Sequence, residues 1–415
     1  MMNSFTYVFL VLLALGVVVE CLLVRRQIMH VRAHRGAVPE DFRDRVTLEE
    51  HRKAADYTVA KGRLALFEPV FGAVLLLLWT LGGALELLDG AWRAAGWTGL
   101  WTGTAFITSL VLIGGLIDLP VSLYRTFVIE ERFGFNRTTP RLFVTDLLKQ
   151  LALFAVIGVP MIVLVLWIMA TTGVWWWIYA WTAWLLFSLT MMWLYPAVIA
   201  PLFNKFRPLE DSALRGRIED LLRRNGFTSR GVFVMDGSAR STHGNAYFAG
   251  MGTNKRIVFF DTLIGQLSHE EIEAVLAHEL GHFKCHHISK RVTVMAVVML
   301  AGFALLGWAI DADWFYQGLG VSRASDYMEL ALFVMISPAF TFMLRPAFAW
   351  LSRRHEFEAD DFAAAQAQAG NLIRALVKLY RENANTLTPD PLYSTFHYSH
   401  PPAPIRIAHL NSRTA

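Results

Sequence analysis

Long apolar runs, rather than alternation, organise this chain. Seven stretches lie near residues 5–24, 62–87, 104–127, 148–171, 174–200, 291–310 and 327–351. Each is long enough, or nearly so, to cross a hydrocarbon core of about 30 Å as a helix of roughly 20 apolar residues. The first run has no basic segment before it and no clean small-residue cleavage site after it. It ends on Arg25 and Arg26 and reads as a true span, not a signal peptide.

Between the fifth and sixth runs the pattern changes. Residues 210–225 carry an apolar face at helical spacing and stop at Gly226. GVFVMD (231–236) and RIVFFD (256–261) are short, β-branched and aromatic, as strands are, and STHGNAYFAG (Ser241 to Gly250) predicts a third strand between them. Ser268 followed by Glu271 forms a capping box, so a helix starts there and runs through His282. The chain thus divides into five spans (1–200), a polar segment with strands and a helix (201–290), two further spans (291–351) and a C-terminal segment (352–415).

Composition agrees with a membrane protein: 55% of residues are apolar and 17% charged, against about 25% charged in soluble domains. The net charge of +4 is modest, and no basic stretch interleaved with aromatics offers a nucleic-acid groove. Cys21 and Cys285 are far apart and suggest neither a disulfide framework nor a cysteine-rich metal site. The distribution of Lys and Arg is more informative. The segment after the first run holds Arg25, Arg26, Arg32, Arg35, Arg43, Arg45, Arg52 and Lys53, whereas the connection between the sixth and seventh is acidic. The positive-inside rule then puts the N-terminus outside and segments 25–61, 125–147, 201–290 and 352–415 at the cytoplasmic face. The aromatic cluster Trp175, Trp176, Trp177, Tyr179 and Trp181 reads as an interfacial belt.

The chemistry begins at AHELGH. His278 and His282, four apart on the predicted helix, share one face and can point at a single ion. Glu279 sits beside that ion, placed to take a proton from water and pass it to a leaving amine. Such a motif also arises by chance on a charged helix face, so a third ligand matters. RRHEFEAD supplies Glu356 and, one turn on, Asp360, which would accept a hydrogen bond from a ligand imidazole; Glu358 points elsewhere. From spacing alone, a third ligand and an acidic helix start favoured by the helix dipole are equal alternatives for Glu356. His286 and His287 read as structural or as supporting the ligands, and His243 and His269 as exposed or locally bonded. Glu20, Glu68 and Asp118 lie within predicted spans, where acids face a bundle interior, line a wet cavity or pair with Arg.

These strings together resemble the type I CAAX prenyl proteases, seven-span membrane zinc metalloproteases. The resemblance rests on FVIEERFGFNRTTP (Phe127 to Pro140), LFNKFRPL (Leu202 to Leu209), NAYF (Asn245 to Phe248), KRIVFFDTLI (Lys255 to Ile264), AHELGHFK, SRRHEFEAD and SHPPAPIRIAHL (Ser399 to Leu410). It implies one Zn²⁺ per chain on His278, His282 and Glu356, with Glu279 catalytic. It also implies that Asn245 and Ala246 lie on a strand receiving the substrate backbone, and that His400 and Arg406 lie near the active site. There they would stabilise an oxyanion or hold the substrate's C-terminal carboxylate. On residue type alone, His400 is a loop residue shaped by Pro401 and Pro402, and Arg406 a solvated charge.

The expected fold is mainly α: a polytopic membrane protein with seven transmembrane helices and a zincin-type HExxH metalloprotease domain carrying a small β-sheet. The resemblance also implies a large chamber among the helices, which Asp118 and Glu68 would line. The expected partners are a peptide or protein substrate, prenylated in the family, and the lipid bilayer. The chain's shortness resembles bacterial members, which places it in a bacterial inner membrane with its active site facing the cytoplasm. The rival readings are a membrane-protein quality-control metalloprotease and a non-catalytic scaffold or transporter; the intact ligand strings count against the scaffold.

Overall fold

A computed structural model describes residues 2–227, 229, 231–249, 256–310 and 312–414. Among them seven helices are long and apolar enough to cross a membrane: α1 Ser4–Ala33, α2 Leu48–Trp79, α3 Gly99–Glu130, α4 Pro140–Thr171, α5 Gly173–Phe203, and the two later spans that flank the polar segment's far side, His287–Ala309 and Asp326–Gln366. Much of their apolar surface faces outward. Leu116 is 67% exposed and Val156 73%, as expected where the solvent is lipid and not water.

Several spans differ from the hydropathy reading: the first runs on to Ala33 and the fourth begins at Pro140, while the second and seventh differ most. The second ends at Trp79 instead of running to residue 87, because the chain turns at Thr80–Gly83, where Gly83 has φ +80°. Leu81, Ala84 and Leu85 keep the sequence apolar across that turn, so a window cannot see it. It also begins at Leu48, capped by a Thr47–Glu50 box, since its first turns are polar and project beyond the apolar run. The seventh does not stop near residue 351. After a tight turn at Phe342–Leu344 it continues to Gln366.

The polar segment holds β1 Phe206–Pro208, α6 Ser212–Arg224, β2 Val232–Met235, β3 Ala246–Ala249, β4 Arg256–Phe260 and α7 His269–Lys284, the last leading into the sixth span, α8 His287–Ala309. The sheet order is β1-β2-β4-β3, with β2 and β4 parallel and the outer pairs antiparallel. The strand expected over Ser241–Gly250 is paired only at Ala246–Ala249, with a lone bridge from Ser241 to Asn136; Gly250 lies outside the described residues. β1 escaped the sequence reading because three residues containing Pro208 carry no strand pattern. Leu214, Ile218 and Leu221 of α6 pack with Val234, Ile257 and Phe259 of the sheet and with Ile272, Leu276 and Leu280 of α7 in one buried core. The seventh span, α9 Asp326–Gln366, then α10 Ala369–Glu382 and α12 Ala403–Thr414 close over this core, while α11 Pro391–His397 packs its Tyr393 against α1 and α2.

Candidate metal centre and active site

α7 forms where the sequence places it. Ser268 Oγ accepts from the Glu271 N–H (3.4 Å), and Glu271 Oε2 accepts from the Ser268 N–H (2.8 Å), so two otherwise orphaned donors are satisfied at its start. Ile272, Leu276 and Leu280 bury one face, and His278 is buried beside them. Gly281, inside the motif, is a point of close approach to α9. A Cβ there would lie 2.9 Å from the Ala359 Cα and 3.1 Å from its carbonyl oxygen. That approach brings Glu356 under the two imidazoles.

The three side chains converge on one point. His278 Nε2 lies 3.3 Å from His282 Nε2 and 3.4 Å from Glu356 Oε2, and His282 Nε2 lies 3.4 Å from Glu356 Oε1. Tetrahedral zinc with bonds of about 2.0–2.1 Å holds its donors about 3.3 Å apart, so the residues fit such an ion. Two imidazoles and one carboxylate are also a common catalytic donor set, leaving a fourth position open. Glu356 and Asp360 sit well inside α9 and not at a helix start, so the dipole account of their acidity does not apply.

The surroundings orient the donors. His278 Nδ1 donates to Asp360 Oδ1 (2.8 Å), leaving its Nε2 lone pair to the cluster. Asp360 is fully buried and also accepts from Arg406 Nε (2.8 Å) and Nη2 (2.5 Å). Arg406 is itself buried, with Nη1 3.7 Å from Glu356 Oε2. Its guanidinium thus faces Asp360 and Glu356, not a solvated surface and not an open substrate position. His400 is exposed at the rim, with Nδ1 2.8 Å from Glu356 Oε2. Burial and Arg406 pull the His278 imidazole down, yet its bonds to Asp360 and Glu356 outweigh both and push it up to about 9. His282 is pulled down to about 4, by burial first and by His278 second. Burial also raises the half-buried Glu279 carboxyl, against the pull of His278.

Comparison with known proteins shows the family. Residues 27–205 match the family model described as CAAX prenyl protease N-terminal, five membrane helices, and residues 208–414 match Peptidase family M48. The chain belongs to peptidase family M48. Its relatives include the CAAX prenyl protease 1 homolog of Oryza sativa subsp. japonica, 35% identical over 92% of this chain and 93% of that one. CAAX prenyl protease 1 of Saccharomyces cerevisiae is 34% identical over 90% and 88%. The crystal structure of S. mikatae Ste24p superposes with a TM-score of 0.91 at 31% identity, covering 99% of this chain and all of that one. This M48 protein is a multi-pass membrane metalloendopeptidase.

Beside the donor cluster, β3 forms the outer edge of the sheet. The Phe260 N–H donates to the Asn245 carbonyl (2.9 Å) and Asn245 Oδ1 accepts from the Ala246 N–H (2.8 Å). Ladder alternation then turns the Ala246 carbonyl and the Phe248 backbone to the free edge. A groove of about 1050 Å³ lies against that strand, lined by Met191, Tyr195, Tyr247, Phe248, His282 and Phe283, between the ends of α5 and α8. A second cavity of about 580 Å³ among α1, α2, α3 and α9 is lined by Glu20, Glu68 and Asp118, with Arg345. Glu68 pairs with Arg125, and Glu20 lies 3.6 Å from Arg345.

Sequence reasoning missed the anchorage of β3. Asn383 Oδ1 accepts from the Gly244 N–H (3.1 Å) and His243 stacks on Phe135 (centroids 4.5 Å apart). Phe135 belongs to the FGFN string, whose presence was the available signal. His269, expected to be exposed or bonded locally, instead lies 2.9 Å from Asp211 Oδ2 at the start of α6, a contact between two helices.

Proposed function

We propose that His278, His282 and Glu356 hold one zinc ion per chain and that Glu279 carries the proton in peptide-bond hydrolysis. The convergence of the two Nε2 atoms and the Glu356 carboxylate, its two oxygens each 3.4 Å from one imidazole and the imidazoles 3.3 Å apart, is the observation that carries this reading. When bound, zinc supplies Lewis acidity to the scissile carbonyl. Glu279, its carboxyl raised by burial, takes the proton of the attacking water and delivers it to the leaving nitrogen. His400, exposed at the rim, donates to the developing oxyanion. Asp360 fixes the His278 tautomer. Arg406 acts at one remove, holding Asp360 and Glu356. Asn245 and Ala246 open the free edge of the sheet, where an extended peptide adds as a further strand.

The substrate is the C-terminal tail of a membrane-associated, prenylated CAAX-type peptide or protein. The names of the relatives and the apolar groove beside β3 support this. The Lys/Arg-bearing segments support a site at the cytoplasmic face; the membrane we assign, on the chain's compactness alone, is a bacterial inner membrane. The test compares purified wild type with Glu279→Gln for zinc content and for cleavage of a farnesylated CAAX peptide. Equal zinc with cleavage by wild type alone is expected. Zinc without cleavage by wild type would remove the substrate, and absence of zinc from folded protein would remove the whole mechanism.

A further inference from the structure

The second imidazole of the donor set faces a third histidine. His282 Nδ1 lies 3.0 Å from His287 Nδ1, and His287 Nε2 lies 3.0 Å from Glu358 Oε2. His287 is buried, and its ring is stacked on His355 with centroids 4.1 Å apart and planes 13° from parallel. The arrangement depends on the turn between α7 and α8. His286 adopts φ +58°, a left-handed conformation uncommon outside glycine, and the chain there reverses so that His287, five residues after His282, returns to its side.

We infer that His287 and Glu358 form a relay that fixes the metal-binding tautomer of His282, as Asp360 does directly for His278. With Glu358 as a carboxylate and His287 as a neutral imidazole, the donors and acceptors leave a single arrangement. An ionised carboxylate only accepts, so His287 Nε2 carries the hydrogen that Glu358 receives. In a neutral imidazole the other nitrogen is then bare, and His287 Nδ1 accepts. His282 Nδ1 must therefore be the donor of the 3.0 Å contact, and the His282 Nε2 lone pair is the one turned toward Glu356 and His278. Glu358 is held in turn by Arg354 Nε at 3.3 Å and Lys290 Nζ at 3.9 Å. Those contacts fix the direction in which its carboxylate faces His287. Cys285, His287 and Glu358 also lie within 4.8 Å of one another, close enough to share an ion. The two cations on Glu358 and the hydrogen-bond distances already filled at both His287 nitrogens favour the relay over a second metal.

The inference rests on His282 being a ligand, and its test separates the two. Zinc affinity is measured by chelator competition on detergent-solubilised protein, with zinc counted per chain and folding checked by thermal melting. His287→Leu keeps the bulk and loses the relay, and should weaken zinc about 10- to 100-fold. His287→Gln can accept through its carbonyl and donate through its amide, and should recover most of that loss. Cys285→Ser should leave affinity and stoichiometry unchanged. His287→Leu with wild-type affinity would overturn the relay, as would a His287→Gln variant no better than Leu, since packing alone would then explain the site. Two zinc ions per chain falling to one in Cys285→Ser would overturn it in favour of a second metal. If His282→Ala also kept zinc, the ligand assignment itself would fall, which is a different result from failure of the relay alone.

Discussion

Gly281→Ala is the sharpest perturbation of the site that touches none of its chemistry. The added methyl carbon would lie 2.9 Å from the Ala359 Cα, 3.1 Å from its oxygen and 3.2 Å from the Phe362 Cβ. Comfortable carbon contacts are about 3.5–4.0 Å, so α7 and α9 must separate by roughly 0.6 Å or more. Both neighbours at Ala359 are backbone atoms and cannot rotate away. Glu356 is three residues from Ala359 on the same helix, while a formed metal site tolerates about 0.2 Å in its bonds. Without metal the helices can relax apart; with metal they are drawn together, so an overpacking strain of about 1–3 kcal/mol falls mainly on metal binding. That corresponds to a loss of roughly 5- to 150-fold in zinc affinity, with secondary structure retained. Chelator competition against wild type, with circular dichroism to confirm folding, reads both quantities. Unchanged affinity in a well-folded Gly281→Ala protein would refute the claim that this close approach sets the donor spacing.

Three further outcomes are expected. Arg406→Ala leaves fully buried Asp360 without its forked partner and should cost about 3–5 kcal/mol of stability, read by thermal melting; a variant as stable as wild type would show the pair to be dispensable. His397 is held down to about 4 by burial and then by Arg345, so the unfolded chain binds the extra proton between that value and about 6.5. Stability should therefore fall as pH drops from 6.5 toward 4, and His397→Gln should flatten that part of the profile. Asn245→Ala removes the 2.8 Å bond to the Ala246 N–H at an exposed position. Stability should change by about 1 kcal/mol or less while kcat/KM for peptide falls; an unchanged kcat/KM would argue against the edge strand as the peptide's seat.

The legible parts of the sequence were those governed by local rules. The capping box at Ser268 and Glu271, the i, i+4 pair His278 and His282, and the apolar face ended by Gly226 all depend on neighbours along one helix, and the structure has them. Hydropathy counted seven spans but misplaced the limits of several, because burial in lipid is a property of a window and a turn such as Thr80–Gly83 is not. Arg406 shows the other limit. Its sequence neighbours offer no reason to bury it, and only the folded contact between α9 and α12 supplies Asp360. The pairing of His287 with Glu358, 71 residues on, is illegible for the same reason.

Because α9 runs from Asp326 to Gln366 with no linker between its membrane-spanning part and Glu356, the third donor rides on a lever. Fourteen residues separate Phe342, at the turn, from Glu356, about 21 Å along a helix axis. A rigid tilt of about 5°, within what helices adopt to match bilayer thickness, would swing that end by roughly 2 Å. The contact at Gly281 is what resists the swing. A change of bilayer thickness that tilts this helix would thus reach the donor cluster mechanically, through the backbone that carries Glu356.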